Sequence, residues 1–408
     1  MTDHCVIVGG SHAAAQLVPS LRQSGWEGAI TLVSDDAHLP YHRPPLSKAY
    51  LAGETSLEKL LIRPSTFYEK HAVDVRLNTR AQEIDRSARQ VLLANGETLR
   101  YTKLALAVGA TARPLPVPGN TLDGVFCVRD LSDADQIRPL IREGGTAVII
   151  GAGYIGLEVA ASLRKLGMAV TVLEAMPRVL QRVTCDEVSA FYQNMHEEEG
   201  VRVCLEAAVS RLTGTTSVDG VEFADGTRFA ADLVIVGIGV VPRVELAEHA
   251  GLEVNNGIVV DEYAQTNDPD IVAVGDCTYH SNGLYESRVR LESVQNATDQ
   301  AKIAAATVCG KKEPYRAVPW FWSDQYDVKL QIAGLSTGYD QVVLRGDPQV
   351  GRSFCAFYLA AGKLLAVDAI NRPREYLAIR KALGAGAEVE PSRLADESID
   401  PRELCLPT

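Results

Sequence analysis

Two stretches of this chain repeat one design. "HCVIVGGSHAAAQLV", residues 4–18, and "TAVIIGAGYIGLEVAASLRKLGMAVTVLE", residues 146–174, each run from an apolar strand through a glycine turn into a helix. A chain that starts this unit twice is committed to parallel sheets with helices on their faces, because parallel strands need a crossover. The second copy carries the full G-x-G-x-x-G spacing at Gly151, Gly153 and Gly156. It ends its second strand at Glu174, about 20 residues on, where an acid binds a ribose hydroxyl pair. The first copy aligns Gly9, Ser11 and Ala14 with those three glycines. Its first position keeps glycine for backbone conformation. Ser11 is small enough for a pyrophosphate to approach the helix N-terminus, and alanine is accepted at the third position. Two copies in register imply two dinucleotide sites. A nicotinamide and a flavin are the common pair, with FAD in the N-terminal copy and NAD(P)H in the inserted one.

Bulk properties narrow the class. The chain has 408 residues, 46% hydrophobic and 23% charged, with a net charge of -12. That sign disfavours broad nucleic-acid binding. No apolar run is long enough to span a bilayer, and the N-terminus enters a strand pattern without a leader pattern. The eight cysteines, Cys5 to Cys405, show no metal-ligand spacing and read as reduced structural thiols of a cytoplasmic protein. We expect no metal site. The pattern divides the chain into residues 1–110 and 242–318, two parts of an FAD-binding domain, 111–241, an NAD-binding domain, and 319–408, an α+β domain. In this last part "VKLQIAGL", "QVVLRGD" and a hairpin around Gly362 precede the basic helix "PREYLAIRKALGAG".

The segments "YHRPPLSKAYLAG", "GAGYIGLEVAA", "VTVLE", "GDC", "RLESVQNATDQAKIAA", "PWFWSDQY" and "VDAINRP" together resemble the bacterial FAD-dependent NADH:ferredoxin reductases of oxygenase systems. The likeness runs over essentially the whole length, and "RPPLSK" with "FWSDQ" is its most specific part. It implies an α/β fold of two Rossmann-like domains of the glutathione-reductase-like type plus a C-terminal α+β domain. FAD would be held by the first turn (Gly9, Ser11, His12, Ala13, Ala14) and by Asp35, Arg43, Lys48, Ala81, Arg129, Asp276 and Val294. NADH would be held by Gly151, Gly153, Tyr154, Ile155, Gly156, Glu174 and Gly239. The implied activity is hydride transfer from NADH to FAD, then single-electron delivery to a [2Fe-2S] ferredoxin that feeds a cytochrome P450 or a Rieske oxygenase. The implied assembly is a monomer that meets its partner transiently.

Some residues have a plain reading beside the functional one. Lys48 is either a solvated loop lysine or a flavin contact whose charge favours reduction. Glu158, two residues past Gly156, is either a helix-surface acid or a group facing the nicotinamide or Lys48. His12 reads as a structural or phosphate-edge contact. Trp320 and Trp322 are two apart and share a strand face; Trp322 is preferred for function and Trp320 for packing. Arg63, Lys302, Arg372, Arg374, Arg380 and Lys381 form a candidate basic patch, since two acidic proteins need one to associate quickly. Arg178 follows Glu174 closely but reads as the start of a new loop, so NADH is the expected donor. A rubredoxin reductase is the nearest alternative. A non-catalytic flavoprotein resembling apoptosis-inducing factor is disfavoured by the net charge. A disulfide reductase lacks its cysteine: before Cys127 there is only Cys5, inside the first strand.

Overall fold

The structure, a computed structural model, describes residues 3–405. They form two compact units. The first contains the residues up to His42 with Leu57–Thr111 and Val241–Pro319; the second contains Arg43–Ser56, Ala112–Val240 and everything from Trp320 on. The chain passes between the units at 111, 240 and 319, and the stretches 112–240 and 320 onward, read from the sequence as two domains, fall in one unit. The proline-rich loop 43–56 differs: it lies in the second unit, although it interrupts the chain of the first.

Each unit is built on a five-stranded parallel sheet of one topology. In the first, the order is Ile271–Ala273, Lys103–Leu106, His4–Val8, Ala29–Val33, Val73–Arg76. In the second, it is Val125–Phe126, Leu233–Val236, Thr146–Ile150, Ala169–Leu173, Arg202–Cys204. The central strands are buried on both faces, which is why "CVIV", "LALA", "AVII" and "LVIV" are continuous apolar runs rather than alternating ones. Both units also insert a three-stranded antiparallel sheet, Ala81–Asp85 to Thr98–Arg100 before strand Lys103–Leu106 and Val209–Gly214 to Arg228–Ala230 before strand Leu233–Val236. The edge strand beyond it differs in origin: Ile271–Ala273 comes last in the chain in the first unit, and Val125–Phe126 comes first in the second.

Helix His12–Ser24 follows the first strand and ends at Gly25, left-handed at φ +99°. Its Ala13, Ala14, Leu17 and Val18 pack on Ala297, Ala301, Ala304 and Ala305 of helix Val294–Val308. Small side chains on both helices let them approach closely. In the second unit, Trp320–Gln325, Val328–Gly334, Lys363–Ile370, Phe354–Ala360 and Gln341–Arg345 form an antiparallel sheet. Its Lys363 and Phe354 strands join through Ala361 and Gly362, both at positive φ, as a tight hairpin requires. Leu330, Phe354, Tyr358 and Ile370 of this sheet share one core with Leu157, Val188 and Tyr192 of the nucleotide-type half. Helix Pro373–Ala385 covers the sheet through Tyr376 and Ile379.

Candidate functional site

The glycine turn of the first unit is shaped by contact with the next strand. Gly9 has φ +124°, and a Cβ there would stand 2.1 Å from the Ala107 carbonyl. Its N–H donates to Val33 O at 2.8 Å. No side chain caps helix His12–Ser24, so its first-turn N–H groups present the positive end of the helix to an anion. His12 is buried, 5.5 Å from the His42 ring. A second glycine closes the cradle. Gly275 (φ +83°) brings the turn carrying Asp276 against Ala13 and Ala297; a Cβ there would lie 3.6 Å from each methyl. Gln300 pins that turn, accepting from Gly275 N at 2.7 Å and from Thr278 Oγ1 at 3.0 Å. Thus the turn carrying Asp276 packs against Ala13 of one helix and Ala297 of the helix that Val294 starts. Ala81 starts the inserted antiparallel sheet. Asp35 is exposed and paired with Arg243 at 3.1 Å. The two sheets align Ser34, not Asp35, with Glu174, since Val33 and Leu173 accept the same turn N–H. The sequence reading missed Ser34 and Gln300; only the strand register reveals them.

In the second unit the turn has two close approaches. Gly151 has φ +101° and would place a Cβ 2.6 Å from Gly237 O; a Cβ on Gly156 would stand 2.1 Å from Gly151 O. At Gly153 a Cβ would lie 4.0 Å from Gly237 O, an ordinary contact, and no side chain caps helix Tyr154–Lys165. Glu174 accepts from Ala152 N at 2.7 Å and Met176 N at 2.9 Å, which fixes its carboxylate at the strand end beside the turn. Ile155 is exposed, whereas Tyr154 turns inward and stacks on Phe321 at 4.9 Å. Gly239 accepts from Arg113 N at 2.9 Å. Arg178 is spent within its own loop, donating to Thr184 O at 2.8 Å and pairing with Asp186 at 2.9 Å.

Glu158 is buried, with 3% of its side chain exposed. A carboxylate there must be compensated. Lys48 Nζ lies 2.6 Å from Oε2, Ser47 Oγ donates to Oε2 at 2.7 Å, and Ser323 Oγ donates to Oε1 at 2.7 Å. The Pro44–Ser47 turn delivers Ser47 and Lys48 together. Ser162 locks that turn by donating to Ser47 O at 2.7 Å. Of the two readings of Glu158, the geometry selects the one that faces Lys48. Arg43, in the same loop, donates to Arg129 O at 2.6 Å, and Arg129 N donates to Asp133 at 2.8 Å. The candidate flavin residues therefore divide: Arg43, Lys48 and Arg129 lie in the second unit and the others in the first.

The candidate basic residues divide too. Arg63 sits over Phe67, and Lys302 pairs with Asp299 at 2.8 Å. Arg372 pairs with Glu375 and Glu397, and Arg374 with Asp400. Arg380 stacks over Trp320 at 5.1 Å, and Lys381 is exposed on the same helix. Trp320 and Trp322 lie 5.6 Å apart and are both half-buried, so burial does not separate them; the contact with the basic helix belongs to Trp320.

All eight cysteines are unpaired. Burial pushes the Cys5 and Cys277 thiols up to about 12. A thiolate is the nucleophile in disulfide chemistry, so these are unreactive. No helix among the described residues is long and apolar enough to cross a membrane.

Known proteins share this architecture. Residues 3–301 match the family described as pyridine nucleotide-disulphide oxidoreductase, and residues 320–405 match the reductase C-terminal domain. Putidaredoxin reductase from Pseudomonas putida is 45% identical over 98% of this chain and 96% of its own. The ferredoxin reductase subunit of 5,5'-dehydrodivanillate O-demethylase from Sphingobium is 44% identical over 98% of each. The crystal structure of a covalent putidaredoxin reductase–putidaredoxin complex superposes with a TM-score of 0.96, covering 98% of both chains. The two glycine turns, the inserted sheets and the C-terminal antiparallel sheet are thus those of a known group, and this chain belongs to the pyridine nucleotide-disulphide oxidoreductase family, among its ferredoxin reductases.

Proposed function

We propose that this protein passes electrons from NADH, through bound FAD, to a [2Fe-2S] ferredoxin that supplies a cytochrome P450 or Rieske oxygenase. The observation that carries this reading is the buried Lys48–Glu158 pair, set two residues past the last glycine of a dinucleotide turn. The names of the relatives support the same assignment. Both turns fit a dinucleotide: each offers an uncapped helix N-terminus over a glycine that admits no side chain.

FAD, when bound, accepts a hydride from a reduced nicotinamide and releases electrons singly. The chain's own residues supply binding, orientation and field. The N-terminus of helix Tyr154–Lys165 receives the NADH pyrophosphate, and Glu174 accepts from the adenosine ribose. Arg43, Arg129, Asp276 and the first turn hold FAD. Lys48 places a positive charge beside the electron acceptor, which favours electron uptake. Glu158 keeps that ammonium in place, and no side-chain nucleophile or general base is required. Trp322, Trp320 and the helix bearing Arg380 and Lys381 form the surface that an acidic ferredoxin meets. Unpaired cysteines fit a reducing compartment, the cytoplasm.

The test is anaerobic. The purified protein should be yellow, bleach on addition of NADH, and reduce a [2Fe-2S] ferredoxin faster than a rubredoxin. A colourless protein that does not take up FAD would sink the assignment. A preference for rubredoxin would replace the partner class.

A further inference from the structure

Glu158 is the end of a longer buried chain. Ser323 Oγ, which donates to Glu158 Oε1 at 2.7 Å, lies 3.1 Å from Gln325 Nε2. Gln325 Oε1 lies 2.8 Å from His196 Nε2. Ser323, Gln325 and His196 are at most 1% exposed. His196 comes from helix Asp186–Glu198 and the other two from strand Trp320–Gln325. Alternation places Ser323 and Gln325 on one face of that strand.

The protons in this chain have one consistent arrangement. Glu158 beside Lys48 is an anion and only accepts. Ser323 must therefore donate its single proton to Glu158 and accept from its other neighbour. That neighbour, Gln325, must present its NH₂ to Ser323, which leaves its carbonyl for His196. His196 must then carry its proton on Nε2. Every donor points toward Glu158. The opposite nitrogen, Nδ1, is buried with no hydrogen-bond partner, beside the Tyr326 ring at 5.2 Å. Burial holds the His196 imidazole below its usual pKa, so it stays neutral.

We infer that His196, Gln325 and Ser323 are positioning residues: a directional hydrogen-bond relay that reads the charge at Glu158 and holds it as the anchor of Lys48. This rests on the assignment of the Lys48–Glu158 pair to hydride transfer, but the relay itself is tested without that chemistry. Lys48 and Ser47 both donate at the Oε2 position. In Glu158→Gln the amide carbonyl must take that side and the NH₂ must face Ser323. Ser323 then donates to Gln325, the Gln325 amide turns over, and its NH₂ donates to His196 Nε2. The His196 tautomer inverts to Nδ1–H.

The measurement is ¹⁵N-histidine NMR of the FAD-loaded protein without NADH, with the His196 signals assigned by their loss in His196→Phe. The native protein should show Nε2–H, and Glu158→Gln should show Nδ1–H. In a Ser323→Ala background, Glu158→Gln should no longer change the tautomer. A His196 signal indifferent to residue 158 would overturn the relay. A second readout is the limiting rate of flavin reduction by NADH. Leaving the buried Gln325 carbonyl without its donor predicts about a tenfold fall in His196→Phe, with NADH affinity within about twofold. His196→Gln, which retains an N–H donor, should restore most of the rate. Equal losses in both variants would mark His196 as merely structural and overturn the proposal. If Lys48→Met leaves flavin reduction unchanged while the tautomer still follows residue 158, the functional assignment of the pair fails and the relay stands.

Discussion

The two glycine turns make the same strand-to-helix connection with different residues. At the first position both units need glycine, because the backbone is at positive φ and a Cβ would enter a carbonyl 2.1 Å away in one and 2.6 Å away in the other. At the third position they part. Gly156 lies so close to the strand that a Cβ would meet Gly151 O at 2.1 Å, and a Cβ on its neighbour Gly237 would meet the Gly156 Cα at 3.4 Å. In the first unit Ala14 and Ala107 hold those places, both carrying a methyl and both buried. The demand for glycine is thus set by the distance between helix and sheet, and the first unit has simply settled at a wider spacing. A fingerprint read as three equal glycines hides this difference: the first is a backbone requirement and the third a packing requirement.

Exchanging the residues breaks the comparison most severely. Gly9→Ala combines positive φ, worth about 1–2 kcal/mol of strain, with a backbone collision that cannot relax cheaply. We expect a protein that emerges colourless and melts early. Gly156→Ala should overpack the second turn by about 1–3 kcal/mol or more, weakening NADH binding while the flavin spectrum stays intact. Ser11→Gly, at a helix N-cap, should shift stability by only a few tenths of a kcal/mol. Flavin absorbance, thermal melting and NADH titration separate the three. A Gly156→Ala protein that binds NADH normally would show that the close helix–strand approach is not required.

The strand-end residue sharpens the contrast. Ser34 occupies in the first unit the place of Glu174 in the second. On the proposed function, Glu174 accepts from the adenosine ribose, and NADPH would set a phosphate against this carboxylate. That clash is worth about 2–4 kcal/mol, or about 30- to 1,000-fold in discrimination. Glu174→Ser, which copies the first unit, should narrow the preference chiefly by improving NADPH. Arg178 is held by Thr184 and Asp186 and does not supply a phosphate site. Stopped-flow flavin reduction with each donor measures this. A native enzyme that uses both donors equally would remove Glu174 as the selector.

What could be read in the sequence followed from how local each cause is. The strands, the turns and the hairpin at Gly362 are written in runs of a few residues, and the structure has them where the runs fall. Lys48 and Glu158 stood out as candidates because each sits beside a recognisable motif. Their pairing is long-range, though, and left Glu158 with two readings until the loop and the helix met. Ser323 and Gln325 lie inside "FWSDQ", but that segment drew attention to Trp322, and His196 lies in no quoted segment; only the fold aligns the protons of the three. The same holds for Ser34, hidden by a one-residue difference in register, and for Gln300, a helix residue whose partner is 25 positions away. A count of lysines and arginines also does not see their carboxylate partners, which Lys302, Arg372 and Arg374 have.

A buried titratable group in each unit gives opposite acid responses. His280 of the first unit is buried beside Tyr315 with neither ring nitrogen hydrogen-bonded, and burial lowers it from 6.5 to about 4. Its folded-state pKa is depressed, so the stability it contributes is present above 6.5 and lost as pH falls toward 4. Asp368 of the second unit accepts from Thr184 and Tyr358, yet burial raises it from 3.8 to about 6. Its contribution is full below 3.8 and lost as pH rises through 6. Each is worth about 2–3 kcal/mol across its window. His280→Phe should therefore flatten the acid loss of stability between pH 6.5 and 4, whereas Asp368→Asn should steepen it. Melting temperatures of the three proteins from pH 4 to 7 decide this. Parallel curves would place both titrations elsewhere.

The smallest effect concerns surface charge, and here too the units differ. Lys302 of the first unit is already paired with Asp299, and in the second Arg374 is paired with Asp400. Arg380 is held over Trp320 instead, with Lys381 exposed beside it on one helix. A cation held by an aromatic face keeps its charge available to a partner, whereas one held by a carboxylate is largely neutralised. On the proposed function, reversing Arg380 and Lys381 to glutamate should raise the KM for ferredoxin about five- to tenfold at low salt, as a few exposed pairs at 0.2–1 kcal/mol each predict. The effect should fade near physiological ionic strength, where screening reaches about 8 Å. Lys302→Glu should change KM less than about twofold. Reduction of FAD by NADH should be unaffected in all of them, and ferricyanide, which needs no docking surface, should be reduced at the native rate. Trp322→Ala serves as the companion test: it should slow ferredoxin more than ferricyanide. If Lys302→Glu weakens ferredoxin as much as the Arg380 and Lys381 reversal does, internal pairing is no guide to docking, and the basic helix loses its claim to the partner.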